Sequence, residues 1–120
     1  MLQILHNPRC GKSRNCLAFA TEFKVDFEII NYLENPLSIS DLKLLIKKLG
    51  IKPIELVRQK ESIWIENYKG KSLSDKDIIE ALSKNPILIE RPIVIYGNNA
   101  IIGRDSDRLK DLFNKRLGLV

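Results

Sequence analysis

The first thirty residues restrict the fold more than any other stretch of the chain. Residues 2–6 form a short apolar run, residues 11–23 carry Cys16, Leu17, Ala20 and Phe23 at helical spacing, and residues 26–30 are strand-like again. Strand, helix and strand in so short a span make a βαβ unit, whose right-handed crossover sets the two strands parallel. The turn between the first strand and the helix reads His6-Asn7-Pro8-Arg9-Cys10-Gly11-Lys12-Ser13-Arg14-Asn15. It therefore puts a cysteine where a helix begins.

Further on, Ser38 and Ser40 precede Leu42, Leu45, Ile46 and Leu49, with Gly50 behind them, which predicts a capped helix with a glycine stop. Pro53 opens a short helix through Arg58, and residues 61–71 are polar and read as irregular. Ser74 and Asp77 make a capping box for a helix that Asn85-Pro86 ends. Residues 92–96 and 100–103, joined by Gly97-Asn98-Asn99, predict an antiparallel hairpin. Asp105 or Ser106 then caps a last helix bearing Leu109, Leu112 and Phe113. The order β-α-β, helical insertion, β-β-α predicts an α/β protein of thioredoxin-like fold: a four-stranded mixed sheet with flanking helices. A single domain over residues 1–120 is expected, with the insertion at about 38–84.

With 120 residues, 44% of them hydrophobic and 29% charged, the chain has the size of one globular domain with a real core. No apolar run approaches the roughly 18 residues that span a bilayer, and the amino terminus has no charged leader ahead of an apolar signal core. A cytoplasmic protein without a membrane partner is expected. The net charge of +5 suits an anionic substrate or a nucleic acid. Lysines such as Lys43, Lys47, Lys48, Lys76 and Lys84 are scattered along helical faces, however, without interleaved aromatics, which argues against nucleic acid. Two cysteines are too few for a disulfide scaffold.

A cysteine at a helix start ionises readily. The first N–H groups of a helix lack internal partners, and the positive end of its dipole favours a negative sulfur. Arg9, Lys12 and Arg14 add positive charge around Cys10. Three other uses of such a loop are excluded. Gly11-Lys12-Ser13 ends like a P-loop, but His6 stands where the first glycine is required. A phosphatase-type loop needs an arginine where Cys16 stands, and a dithiol motif needs a cysteine in place of Ser13. Cys16 lies about 9 Å further along the helix, too far for a disulfide with Cys10, and reads as a core residue. What remains is a single thiolate that needs an external thiol to complete a redox cycle. Ser13 reads as a cap of the first turn, and Ser13 and Asn7 as groups that hydrogen-bond the thiolate or hold the loop. His6, the sole histidine, is either a base or charge neighbour of Cys10 or a structural residue at the strand end. No metal site and no bound cofactor is expected.

Residues 6–15, the block Asn31-Tyr32-Leu33-Glu34-Asn35-Pro36 and the block Pro86-Ile87-Leu88-Ile89-Glu90-Arg91-Pro92-Ile93-Val94 together resemble the glutaredoxin-coupled arsenate reductases, the ArsC family, over nearly the whole chain. The resemblance implies that Cys10 is the nucleophile that attacks arsenate. It implies glutathione as co-substrate and glutaredoxin as partner, with Arg58, Arg91 and Arg104 holding the oxyanion. Guanidinium groups bind tetrahedral oxyanions in bidentate fashion, and the plain alternative for each is a surface salt bridge. Pro92 stands where thioredoxin-like folds carry a cis-proline beside the active cysteine, which implies a cis Arg91-Pro92 bond and an Arg91 turned towards Cys10. The related regulatory branch carries a Cys-x-x-Cys pair, which Ser13 excludes. A monomer is expected. Two further readings stay open: a non-catalytic regulator of the same fold that binds RNA polymerase, and a glutathione-dependent thiol transferase acting on another substrate.

Overall fold

Four short strands, β1 (Leu2–Leu5), β2 (Phe27–Ile30), β3 (Ile93–Tyr96) and β4 (Asn99–Ile102), form one mixed sheet in the order β2-β1-β3-β4. The structure is a computed structural model and describes residues 2–104 and 106–116. β1 runs parallel to β2, with helix α1 (Gly11–Glu22) as the crossover, and antiparallel to β3, which pairs antiparallel with β4. The thioredoxin-like α/β expectation is met. The chain divides into two compact units, one of Met1–Asn31 with Arg91–Val120 and one of Tyr32–Glu90. The helical insertion expected at about 38–84 falls inside the second.

In the first unit, Leu2 and Ile4 of β1 and Val94 of β3 pack with Cys16 and Ala20 of α1, with Val25, and with Leu109 and Phe113 of α5 (Ser106–Arg116). A slip of one residue in β1 would turn Gln3 into this cluster, so the alternation fixes the register. Cys16 is fully buried there, and burial pushes its thiol up to about 12. The rings of Phe23 and Phe113 lie 6.3 Å apart at a tilt. The hairpin turn is tighter than its sequence suggests. Asn99 pairs with Tyr96 inside the ladder, which leaves a two-residue Gly97-Asn98 turn whose Gly97 has φ +59°. Ser106 is the first helical residue of α5 and does not cap it, and Asp105, the other expected cap, lies outside the described residues.

In the second unit, α2 (Ile39–Leu49) starts on Ser38, whose hydroxyl accepts the Asp41 N–H at 3.1 Å, and stops on Gly50 at φ +67°. The capping box of α4 (Asp75–Lys84) is present, with Ser74 and Asp77 exchanging bonds of 3.0 and 3.2 Å. Two expectations need correction. The segment opened by Pro53 is a 3₁₀ turn ending at Leu56, after which Val57 bridges Ile89 in extended form and Arg58 donates its N–H to Leu88 at 2.7 Å. Residues 61–71 are not irregular throughout, because Ser62–Asn67 forms a short helix, α3. Its anchor is Trp64, buried and stacked on Tyr68 at 5.3 Å, while Ile65 stays exposed. One inward residue in a polar stretch leaves no apolar period to read.

Candidate active site

The site is built from the ends of three neighbouring strands. The β1–β3 register pairs Leu5 with Ile93, so that His6 and Asn7 leave β1 at the end where Arg91-Pro92 leads into β3. The β3–β4 register pairs Ile93 with Ile102, so that Pro92 and Gly103 follow at this end of the sheet, next in sequence to Arg91 and Arg104. The Gly103 N–H donates to the Pro92 carbonyl at 2.7 Å, which holds the two together. The Arg91-Pro92 bond is cis. The β1 turn, the Arg91-Pro92 corner and the Gly103-Arg104 corner thus meet at one end of the sheet.

The turn after β1 is locked by Asn7, which is only 2% exposed. Its side-chain oxygen accepts the Arg9 N–H at 3.0 Å, its carbonyl accepts the Cys10 N–H at 3.0 Å, and its own N–H donates to the Ser13 hydroxyl at 3.0 Å. Of the two roles open to Asn7, holding the loop is the one these bonds perform. Cys10 is the N-cap of α1, with extended backbone at φ −98° and ψ 122°. Ser13 therefore does not cap the first turn, contrary to expectation; it sits at the third helical position, fully buried.

Cys10 is half-buried, and burial by itself pushes its thiol up. Opposing this are the Arg91 side chain, the backbone N–H groups of Ser13 and Lys12, and the Arg91 charge, and together they hold the thiol below its ordinary value. The sulfur closes no full capping hydrogen bond, yet the N–H groups of the second and third helical positions are the ones an N-cap side chain faces. Main-chain donation from Lys12 is invisible in a list of side chains. Placing Cys10 at the N-cap is what would have revealed it.

His6 Nδ1 and the Ser13 hydroxyl lie 2.7 Å apart. Because the Asn7 N–H already donates to that oxygen, the hydroxyl proton is available to the imidazole. Burial, and after it the Arg14 charge, lower the His6 pKa below 6.5 against an opposing backbone hydrogen bond at Ser13. Both causes favour the uncharged ring. Arg14 itself is exposed, with Nη1 on the Pro8 carbonyl at 2.9 Å.

Arg91 is half-buried, and its Nε and Nη1 are buried atoms with no hydrogen-bond acceptor. A guanidinium kept out of water with two donors unmatched costs on the order of 1–3 kcal/mol per group, a cost that an anion beside Cys10 would remove. Arg104 is exposed, and the glycine before it is confined: a Cβ on Gly103 would come within 2.9 Å of Leu109 Cδ2. Arg58 belongs to the other unit, Tyr32–Glu90, where its Nη1 pairs with the Glu61 carboxylate. Sequence reading missed Glu61, although its spacing of three from Arg58 was a usable signal. Among the described residues, no group of three or more His, Cys, Asp or Glu side chains could hold a metal ion, and no helix is long and apolar enough to cross a membrane.

Comparison with known proteins covers nearly the whole chain. The family described as the ArsC family matches residues 5–112. The protein YfgD of Escherichia coli K12, described as uncharacterized, is 42% identical over 92% of this chain and 95% of its own. An arsenate reductase of Haemophilus influenzae is 36% identical over 91% of this chain and 96% of its own. Among solved structures, an arsenate reductase from Vibrio cholerae superposes with a TM-score of 0.83 at 35% identity, covering 99% of this chain and 97% of that one.

Proposed function

The chain belongs to the ArsC family, and we propose that it is an arsenate reductase in which Cys10 is the nucleophile and Arg91 the principal oxyanion ligand. The observation that carries this reading is the Arg91 guanidinium beside a depressed thiol, with Nε and Nη1 buried and unmatched. Each is a charged N–H donor of the kind that binds the oxygens of an oxyanion. Arg104, which follows Gly103 at the same end of the sheet, is the second oxyanion ligand in this reading.

The Cys10 thiolate attacks arsenic, a sulfur–arsenic bond forms, and an arsenate oxygen leaves as water after protonation. A glutathione thiolate then attacks the Cys10 sulfur. The sulfur–arsenic bond breaks with its electron pair left on arsenic, so that As(V) becomes As(III) and arsenite departs, while Cys10 is left in a mixed disulfide with glutathione. A second thiol, from glutathione through glutaredoxin, restores the Cys10 thiolate, so that two thiols are oxidised to one disulfide for each arsenate reduced. Arg91 stabilises charge on the oxyanion as the As–O bond breaks, and its side chain favours the ionised form of Cys10 before attack. The protein works in this cycle as a cytoplasmic monomer.

The test is NADPH oxidation coupled through glutathione reductase and glutaredoxin. Saturable dependence on arsenate, lost in Cys10→Ser, is expected. Arg91→Ala should lower kcat/KM for arsenate about 100-fold, in line with loss of one oxyanion donor, while iodoacetamide labelling of Cys10 falls much less. A rate indifferent to arsenate at every concentration overturns the reading, and glutathione-dependent turnover of other disulfides alone would make the protein a thiol transferase.

A further inference from the structure

Cys10 has an inner and an outer side. Inward stands Arg91, whose unmatched donors suit the oxyanion. Outward stand Arg9 and Lys12, both exposed, and among the described residues neither side chain is held by a hydrogen bond or an ion pair. Arg14, by contrast, is tied to the Pro8 carbonyl. No acidic residue occurs before Glu22, so nothing on this turn or on α1 up to Thr21 neutralises the pair. Between them lies Gly11, where an added Cβ would meet only the flexible end of Arg14 at 3.7 Å. The turn beside Cys10 is therefore open at Gly11 and carries two uncommitted cations.

The reaction proposed above, on which this inference rests, has two substrates, and the second must reach the Cys10 sulfur after the oxyanion already occupies the inner side. We propose that Arg9 and Lys12 are the specificity residues for that second substrate, selecting a thiol that carries carboxylates, of the glutathione class, over neutral or cationic thiols. Each cation supplies an anchor for one carboxylate while the thiol sulfur enters over Gly11. Two unit charges about 7 Å apart in water interact enough for a factor of roughly three in rate. The pair together is worth about ten-fold at low ionic strength and less as salt is added.

Thiol–disulfide exchange tests this without arsenate. The Cys10 thiolate attacks one sulfur of a small disulfide, the disulfide bond breaks, and one thiolate leaves as the mixed disulfide forms. Rates are compared for glutathione disulfide, which is anionic, and cystamine, which is cationic, in the unmodified protein and in Arg9→Ser/Lys12→Ser. Any change in the ionisation of Cys10 affects both probes alike and cancels in the ratio. The ratio of glutathione disulfide to cystamine should fall about ten-fold in the double variant, and by a similar factor in the unmodified protein at high salt. In arsenate turnover the KM for glutathione should rise while that for arsenate stays put. An unchanged ratio overturns the inference, as does a rise in the arsenate KM in place of the glutathione KM. If the ratio falls but arsenate is never turned over, anion selection by Arg9 and Lys12 stands and the arsenate reading fails.

Discussion

Gly103 links the packing of the fold to the position of an arginine, and replacing it with alanine tests both. The new Cβ would sit 2.9 Å from Leu109 Cδ2 and 3.3 Å from both Cδ1 and Cγ. Leu109 is 2% exposed and packs with Val94 and Phe113, so its side chain has no empty volume into which to rotate. Overpacking of this kind costs about 1–3 kcal/mol. For a domain of this size that lowers Tm by roughly 3–5 °C for each kcal/mol. Urea unfolding followed by far-UV circular dichroism should show a lower midpoint with an unchanged m-value. Leu109→Ala alone should cost about 2–5 kcal/mol, and the Gly103→Ala/Leu109→Ala pair should fall short of the sum by at least about 1 kcal/mol, since the added methyl then occupies space that the leucine vacated. The Gly103 N–H also holds the Pro92 carbonyl at 2.7 Å, so the single variant should raise the arsenate KM by displacing Arg104. A Gly103→Ala protein as stable as the parent, or strict additivity in the pair, would refute the packing reasoning.

His6 is held neutral in the folded protein by burial and the Arg14 charge, so its folded pKa lies below 6.5. The unfolded chain therefore takes up the proton first, and stability present above pH 6.5 is lost as pH falls through the folded value; His6→Gln should flatten that limb of a stability-against-pH curve, and an unchanged slope would show that another group is responsible. Arg58 pairs with Glu61 at partial exposure, a contact worth no more than about 1 kcal/mol. Glu61→Gln should accordingly lower the unfolding free energy in urea by no more than about 1 kcal/mol, and a larger loss would show that the pair is better shielded from water than its exposure indicates.

The sheet and its flanking helices were legible because their signals are local and agree with one another. The apolar run at Leu2–Leu5, Ser38 with Gly50, and the Ser74–Asp77 box each declare an element from a few residues. Helix α3 was not legible, because a six-residue helix held by one tryptophan has no repeating face. In the site, Cys10 and the cis Arg91-Pro92 corner could be named from sequence, the second from family likeness. Ser13 was misassigned as a cap, since serine is a common N-cap and cysteine an uncommon one. Nor did the sequence show that Asn7 ties Arg9, Cys10 and Ser13 together, because such a network depends on where one buried amide points.

The whole cycle depends on the state of the Cys10 sulfur. Iodoacetamide alkylation of Cys10 should be measured across the pH range, with Cys16 silent because it is buried and its thiol is pushed up to about 12. A midpoint below the free-cysteine value of about 8.5 is expected, with a clear upward move in Arg91→Leu. A midpoint at or above the free value, or one that Arg91→Leu leaves in place, would contradict a Cys10 thiolate favoured by Arg91.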